Sequence, residues 1–129
     1  TLAGAIPDEA LDALYAGADI FAMSSLYEGY GMVLAEAMAR GLPIVATTGG
    51  AAAETVPEGA AIKVPPGDAP ALADGLARLI GDPGLRRTLA DRAHAAARAL
   101  PGWDDTAAAI ASVIHLVGRP PGTPGEGSP

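Results

Sequence analysis

The sequence predicts an α/β fold built on a parallel sheet. Two observations carry that prediction. Short apolar runs (Asp19 to Met23, Ile44 to Ala46, Ala60 to Val64) alternate with stretches whose apolar residues recur at helical spacing. Half of the 129 residues are hydrophobic while only 4% are aromatic, so Ala and Gly must build a core of small side chains and close helix–sheet contacts. A full doubly wound domain has about six strands, and these runs supply three.

Asp8, after Pro7, is the expected N-cap of a first helix whose apolar positions are Leu11, Leu14, Tyr15 and Ala18. Asp19 to Met23 reads as a buried strand. Its loop holds Glu28-Gly29-Tyr30-Gly31 and opens a helix from Met32 to Arg40. That helix is almost wholly apolar, with Glu36 in its middle, and a helix apolar all round is normally buried. Pro43 leads into the strand Ile44 to Ala46, followed by a loop from Thr47 to Ala51. Ala52 to Val56 is a short helix stopped by Pro57, and Ala60 to Val64 is the third strand. Asp68 caps a helix with Leu72, Leu76, Leu79 and Ile80 on one face. Asp82 followed by Pro83 restarts the chain as a helix lined by Leu85, Leu89, Ala93, Ala96 and Leu100. Pro101-Gly102 breaks it, and Asp104 or Asp105 starts a last helix carrying Ile110, Val113, Ile114 and Val117. The stretch Gly118 to Pro129, rich in Gly and Pro, cannot supply a core and is expected to be disordered. The expected organisation is therefore one partial domain, 1–117, and a tail, 118–129.

Composition narrows the function classes. A chain of this length holds one domain at most. The net charge of −7 argues against nucleic acid as a partner. The absence of cysteine excludes disulfides and thiolate metal sites and is compatible with a cytoplasmic protein. No run reaches the roughly 18 apolar residues of a membrane span. No signal peptide is visible at Thr1, and Thr1-Leu2-Ala3-Gly4 reads like the interior of a longer chain. His94 and His115 have no Asp, Cys or second His at ligand spacing, and no Ser–His–Asp or Cys–His set can be assembled.

The chemistry concentrates between Ser24 and Pro43. Strand, glycine loop and helix N-terminus form the usual anion position of an open parallel sheet. Gly29 and Gly31 let the backbone approach a ligand, and the N–H groups of Gly29, Tyr30, Gly31 and Met32 would point at it. Glu28 stands at the mouth of the loop and Glu36 two helical turns in, an E-x7-E pair. A carboxylate on so apolar a helix needs a partner. Two are open to Glu36: Arg40 at i,i+4 spacing, or a ligand hydroxyl.

The run Y-E-G-Y-G-M-V-L-A-E-A-M-A-R-G-L-P-I-V-A-T, from Tyr27 to Thr47, resembles the E-x7-E signature of retaining nucleotide-sugar glycosyltransferases with the two-domain GT-B fold (group 1, family four-like). Leu11 to Asp19 resembles the helix before the motif, Val64 to Asp68 the family's V-P-P-G-D turn, and Trp103 its late aromatic. Gly50-Ala51-Ala52-Ala53-Glu54 stands where the family usually has G-G-x-P-E, and Tyr30 where it commonly has Phe. The likeness covers roughly residues 2 to 117.

The resemblance implies the second half of the Rossmann-like, C-terminal donor domain, followed by C-terminal helices. Glu28 would touch the transferred sugar and Glu36 the ribose. The amides of Gly29, Tyr30, Gly31 and Met32 would meet phosphate or sugar, with Gly50 adding a contact from the second loop. The donor would be a nucleotide-diphosphate sugar and the transferred group a hexose. The acceptor, a sugar, lipid or small-molecule hydroxyl, would bind an N-terminal domain outside this sequence. That domain would also hold the catalytic histidine and any peripheral membrane contact. No D-x-D is present, so neither metal nor cofactor is expected. An unpaired sheet edge would make the isolated chain prone to self-association. The alternatives are a non-catalytic α/β interaction module, or another GT-B enzyme such as a nucleotide-sugar epimerase or a phosphorylase. The only lysine, Lys63, lacks a pyridoxal motif.

Overall fold

The computed structural model describes residues 1–117. The chain divides into two compact units, Thr1–Ala99 and a second beginning at Leu100. The first unit runs α1 (Asp8–Gly17), β1 (Phe21–Met23), α2 (Met32–Ala39), β2 (Ile44–Thr47), α3 (Ala52–Thr55), β3 (Ala61–Val64), α4 (Ala69–Gly81) and α5 (Pro83–Ala97). The three strands form a parallel sheet in the order β1-β2-β3. Phe21 pairs with Ile44 and Ala46 with Lys63.

Strand β2 is central and buried at all four positions. Successive side chains of a strand face opposite ways, and the packing follows that rule. Ile44 and Ala46 join Leu34, Ala37 and Met38 of α2 in one cluster. Val45 joins Leu79 of α4 and Leu89 of α5 in another. The sheet is thus covered on both faces, as parallel sheets require.

The expected caps at the later helices form. The Asp68 carboxylate accepts from the Ala71 N–H and Asp82 from the Leu85 N–H, each at 2.9 Å. At α1 the N-cap is Pro7 rather than Asp8, which lies in the first turn and makes no cap bond. There its charge faces the positive end of the helix dipole.

Four other expectations change. Of the α1 stripe only Tyr15 is buried, and Leu14 is 56% exposed. The reason is the sheet edge: β1 pairs only with β2 among the described residues. An apolar groove of about 220 Å³ therefore stays open between Leu11, Leu14, Tyr15, Ala18, Phe21 and Leu42. Helix α2 is buried through Leu34, Ala37 and Met38 alone, while Met32 and Val33 face outward. Ile80 is exposed although its neighbour Leu79 is fully buried, because one residue turns about 100° around a helix. Helix α5 stops at Ala97, with Arg98 as C-cap, so Leu100 lies beyond it.

The second unit contains α6 (Trp103–Val117), which starts just before the expected Asp104 or Asp105. The Asp105 carboxylate reaches back to accept from the Gly102 N–H at 2.9 Å, a capping contact that lets the helix begin early. The tail at 118–129 lies outside the described residues. No helix among the described residues is long and apolar enough to cross a membrane.

Candidate functional site

Beyond Met23 the chain leaves β1 and reaches Glu28, which forms an isolated parallel bridge with Gly50. The Glu28 N–H donates to the Gly49 carbonyl at 3.1 Å, and the Ala51 N–H donates to the Glu28 carbonyl at 2.9 Å. The bridge prolongs the β1–β2 pairing past the carboxyl ends of the strands and locks their two loops together. It needs glycine at position 50: φ is +64°, and a Cβ there would lie 2.3 Å from the Glu28 carbonyl oxygen.

The half-buried Glu28 side chain turns toward α2. Its Oε1 accepts from the Gly31 N–H at 3.2 Å. Gly31 is the N-cap of α2, with φ of +81°. A Cβ on it would fall 2.7 Å from the Thr55 hydroxyl oxygen. That hydroxyl lies 3.1 Å from the Tyr30 carbonyl and 2.9 Å from the Ala51 carbonyl, so it ties the glycine loop to α3. Thr55 escapes a sequence reading, because a threonine at the end of A-A-A-E-T looks like an ordinary i−4 back-bonding residue.

The amides divide accordingly. Among the described residues, no protein group accepts from the N–H groups of Gly29, Tyr30, Met32 or Val33. The Gly31 N–H, expected to face a ligand, is instead engaged by Glu28. Gly29, Tyr30 and Met32 are exposed, Tyr30 by 78%.

Glu36 does not pair with Arg40. Its Oε2 accepts from the Tyr15 hydroxyl of α1 at 3.1 Å. The Arg40 guanidinium instead bonds the Asp12 carboxylate and lies 4.3 Å from the centre of the Tyr15 ring. Helix α1 offers Arg40 a carboxylate and an aromatic face together, which outcompetes a single i,i+4 contact. Burial, and then the hydrogen bond to Glu36, hold the Tyr15 phenol above its ordinary pKa. One signal for this partnership was legible: a buried tyrosine hydroxyl usually finds an acceptor.

His94 sits 3.1 Å from the Ala39 carbonyl and ties α5 to the end of α2. Among the described residues no group of three or more His, Cys, Asp or Glu could hold a metal ion.

The family described as Glycosyl transferases group 1 matches residues 1–96. The MMP alpha-(1->4)-mannosyltransferase of Mycolicibacterium hassiacum is 38% identical over 112 residues, covering 85% of this chain and 27% of its own length. The D-inositol 3-phosphate glycosyltransferase of Corynebacterium urealyticum is 37% identical over 124 residues, covering 94% of this chain and 28% of its own. This chain thus spans little more than a quarter of those relatives. Among solved structures, sucrose-phosphate synthase from Thermosynechococcus elongatus superposes with a TM-score of 0.80 at 36% identity, over 91% of this chain and 30% of that one. Anabaena HepE in complex with UDP-glucose superposes at 0.73 and 31% identity, over 80% of this chain and 29% of its own. The C-terminal domain of a group 1 glycosyl transferase from Francisella tularensis superposes at 0.69 and 27% identity, over 76% of this chain and 51% of that one. With its three-stranded parallel sheet and flanking helices, the chain belongs to the group 1 glycosyl transferase family and has the architecture of the C-terminal part of the GT-B fold.

Proposed function

We propose that the complete protein is a retaining glycosyltransferase that moves a hexose from a nucleotide-diphosphate sugar to an acceptor hydroxyl, with this chain as the donor half. One observation carries the reading. Beside the Glu28 carboxylate, the N–H groups of Gly29, Tyr30, Met32 and Val33 are free of acceptors among the described residues, at the carboxyl end of a parallel sheet. That is the arrangement a diphosphate uses. The Anabaena neighbour solved with UDP-glucose supports the ligand class.

In the transfer, the bond from the anomeric carbon to the diphosphate oxygen breaks and the diphosphate leaves with the electron pair. The acceptor oxygen bonds to the same face and gives up its proton to the departing diphosphate. Charge grows on the leaving phosphate and on an oxocarbenium-like sugar. The free amides and the dipole of α2 stabilise the first. Glu28 holds the sugar hydroxyls while the second develops. The Gly31 N–H pins its Oε1, which leaves Oε2 for the ligand. Gly50 backs this residue by bridging its main chain. Glu36 receives the ribose hydroxyls. The proposed reaction uses no metal or cofactor. The acceptor binds an N-terminal domain, which also supplies any membrane contact of a cytoplasmic enzyme.

In the complete protein, Glu36→Ala is expected to weaken the nucleotide sugar and the free nucleoside diphosphate alike, since ribose is common to both. Hydrogen bonds to a charged group are worth about 1.5–3 kcal/mol, so a loss of about ten- to a hundredfold should appear by calorimetry. Unchanged affinity with reduced thermal stability would leave Glu36 only a packing partner of Tyr15.

The outer edge of β1 pairs with no strand among the described residues. We propose that this edge makes the isolated chain self-associate. Sedimentation velocity should show a mass that rises with concentration, and a monomer throughout the range would overturn the idea.

A further inference from the structure

Glu36 of α2 and Arg40, the C-cap of that helix, lie one turn apart, yet the two do not meet. The Tyr15 hydroxyl takes one carboxylate oxygen of Glu36. The Arg40 guanidinium lies against the Tyr15 ring and bonds Asp12. Tyr15 is buried to 8% exposure and stacks on Phe21, ring centres 6.1 Å apart, so its hydroxyl has little freedom to leave.

From this geometry we infer that Tyr15 is a positioning residue for Glu36, and that Asp12 and Arg40 keep the carboxylate free to bind a ligand. The inference rests on the reading of Glu36 as the ribose acceptor and adds how that acceptor is prepared. A carboxylate offers about four lone-pair positions. An i,i+4 arginine could take two of them in a bidentate contact and neutralise the charge. A neutral phenol donor takes one on Oε2 and leaves the charge in place. Among the described residues Oε1 accepts from no protein donor. Burial and the bond to Glu36 keep the phenol protonated, so it stays a donor at neutral pH. Asp12, on the preceding helix, gives Arg40 a stronger attachment elsewhere. A ligand hydroxyl then meets a carboxylate already held in one orientation, which lowers the ordering cost of binding.

The test uses the complete protein with UDP, GDP and ADP, and compares the tightest binder with its 2′,3′-dideoxyribose counterpart. The wild type should prefer the ribose form by about ten- to a hundredfold. Tyr15→Phe keeps the ring, its stacking and the Arg40 contact, and loses only the hydroxyl. It should cut the preference by about five- to tenfold, while affinity for the dideoxy form stays within about twofold. Asp12→Asn, at an exposed position, weakens the hold on Arg40 and should lower the same preference without touching Tyr15. A merely structural role would weaken both ligands equally. If the wild type discriminates and both variants discriminate as well as it does, the positioning role is wrong while the ribose reading stands. If the wild type binds none of the three nucleotides, or ignores the ribose hydroxyls, the ribose reading itself falls and this inference with it.

Discussion

Glu28→Gln in the complete protein is expected to turn over about a hundredfold to a thousandfold more slowly while binding nucleoside diphosphate within about twofold of normal. The structure makes this substitution a clean one. The contact between Glu28 and the Gly31 N–H uses one side-chain oxygen at 3.2 Å, and the carbonyl of Gln can accept the same bond. The main-chain bridge to Gly50 does not depend on the side chain at all. The fold and the start of α2 should survive, and what disappears is the negative charge that the proposed function sets beside the sugar. That charge matters most as the anomeric carbon becomes electron-poor, so its loss falls on kcat rather than on the ground-state complex. Turnover near wild type, measured with saturating donor and acceptor, would remove Glu28 from the active site.

Gly50→Ala should damage the site by the opposite route, through the backbone. The new Cβ would meet the Glu28 carbonyl oxygen at 2.3 Å, and position 50 would still have to hold φ of +64°. A non-glycine residue in that region costs about 1–3 kcal/mol by itself, and a clash with main chain cannot be relieved by a side-chain rotation. The bridge must open, so the loops after β1 and β2 separate and Glu28 loses its backing. A total cost of about 3 kcal/mol corresponds to a fall in thermal midpoint on the order of 10 °C, readable by calorimetric melting. Donor affinity should fall with it, because Glu28 and the glycine loop move together. An unchanged midpoint would mean that the bridge is not part of the folded state.

Much of this molecule was legible one turn at a time. The caps at Asp68 and Asp82 are contacts three residues long. The apolar run of β2 marked a strand. The E-x7-E pair and the glycines between them marked the loop at the end of β1. Where local spacing was the only guide, it misled. It offered Arg40 as the protein partner of Glu36, when the partner is Tyr15, 21 residues away on another helix. It put Leu11 and Leu14 inside, when they line an open groove beside the edge strand. It gave no hint that Thr55 holds the glycine loop, or that Gly50 lies against the Glu28 carbonyl.

The division has a physical cause. Strand and helix identities, caps and the carboxylate pair depend on neighbours within a few residues, and periodicity reports those directly. Which hydroxyl reaches Glu36, and which carboxylate draws Arg40 away, depends on how α1 is placed and rotated against α2. Packing across the whole sheet sets that placement. The sequence by itself therefore determined that this chain builds a parallel α/β unit with one carboxylate at the mouth of a helix and a second within it. Only the tertiary structure decided that one oxygen of Glu36 is tied to the Tyr15 phenol, 21 residues away, because that pairing forms only once α1 and α2 have packed, whereas the Gly31 amide that holds Glu28 is three residues along the same loop.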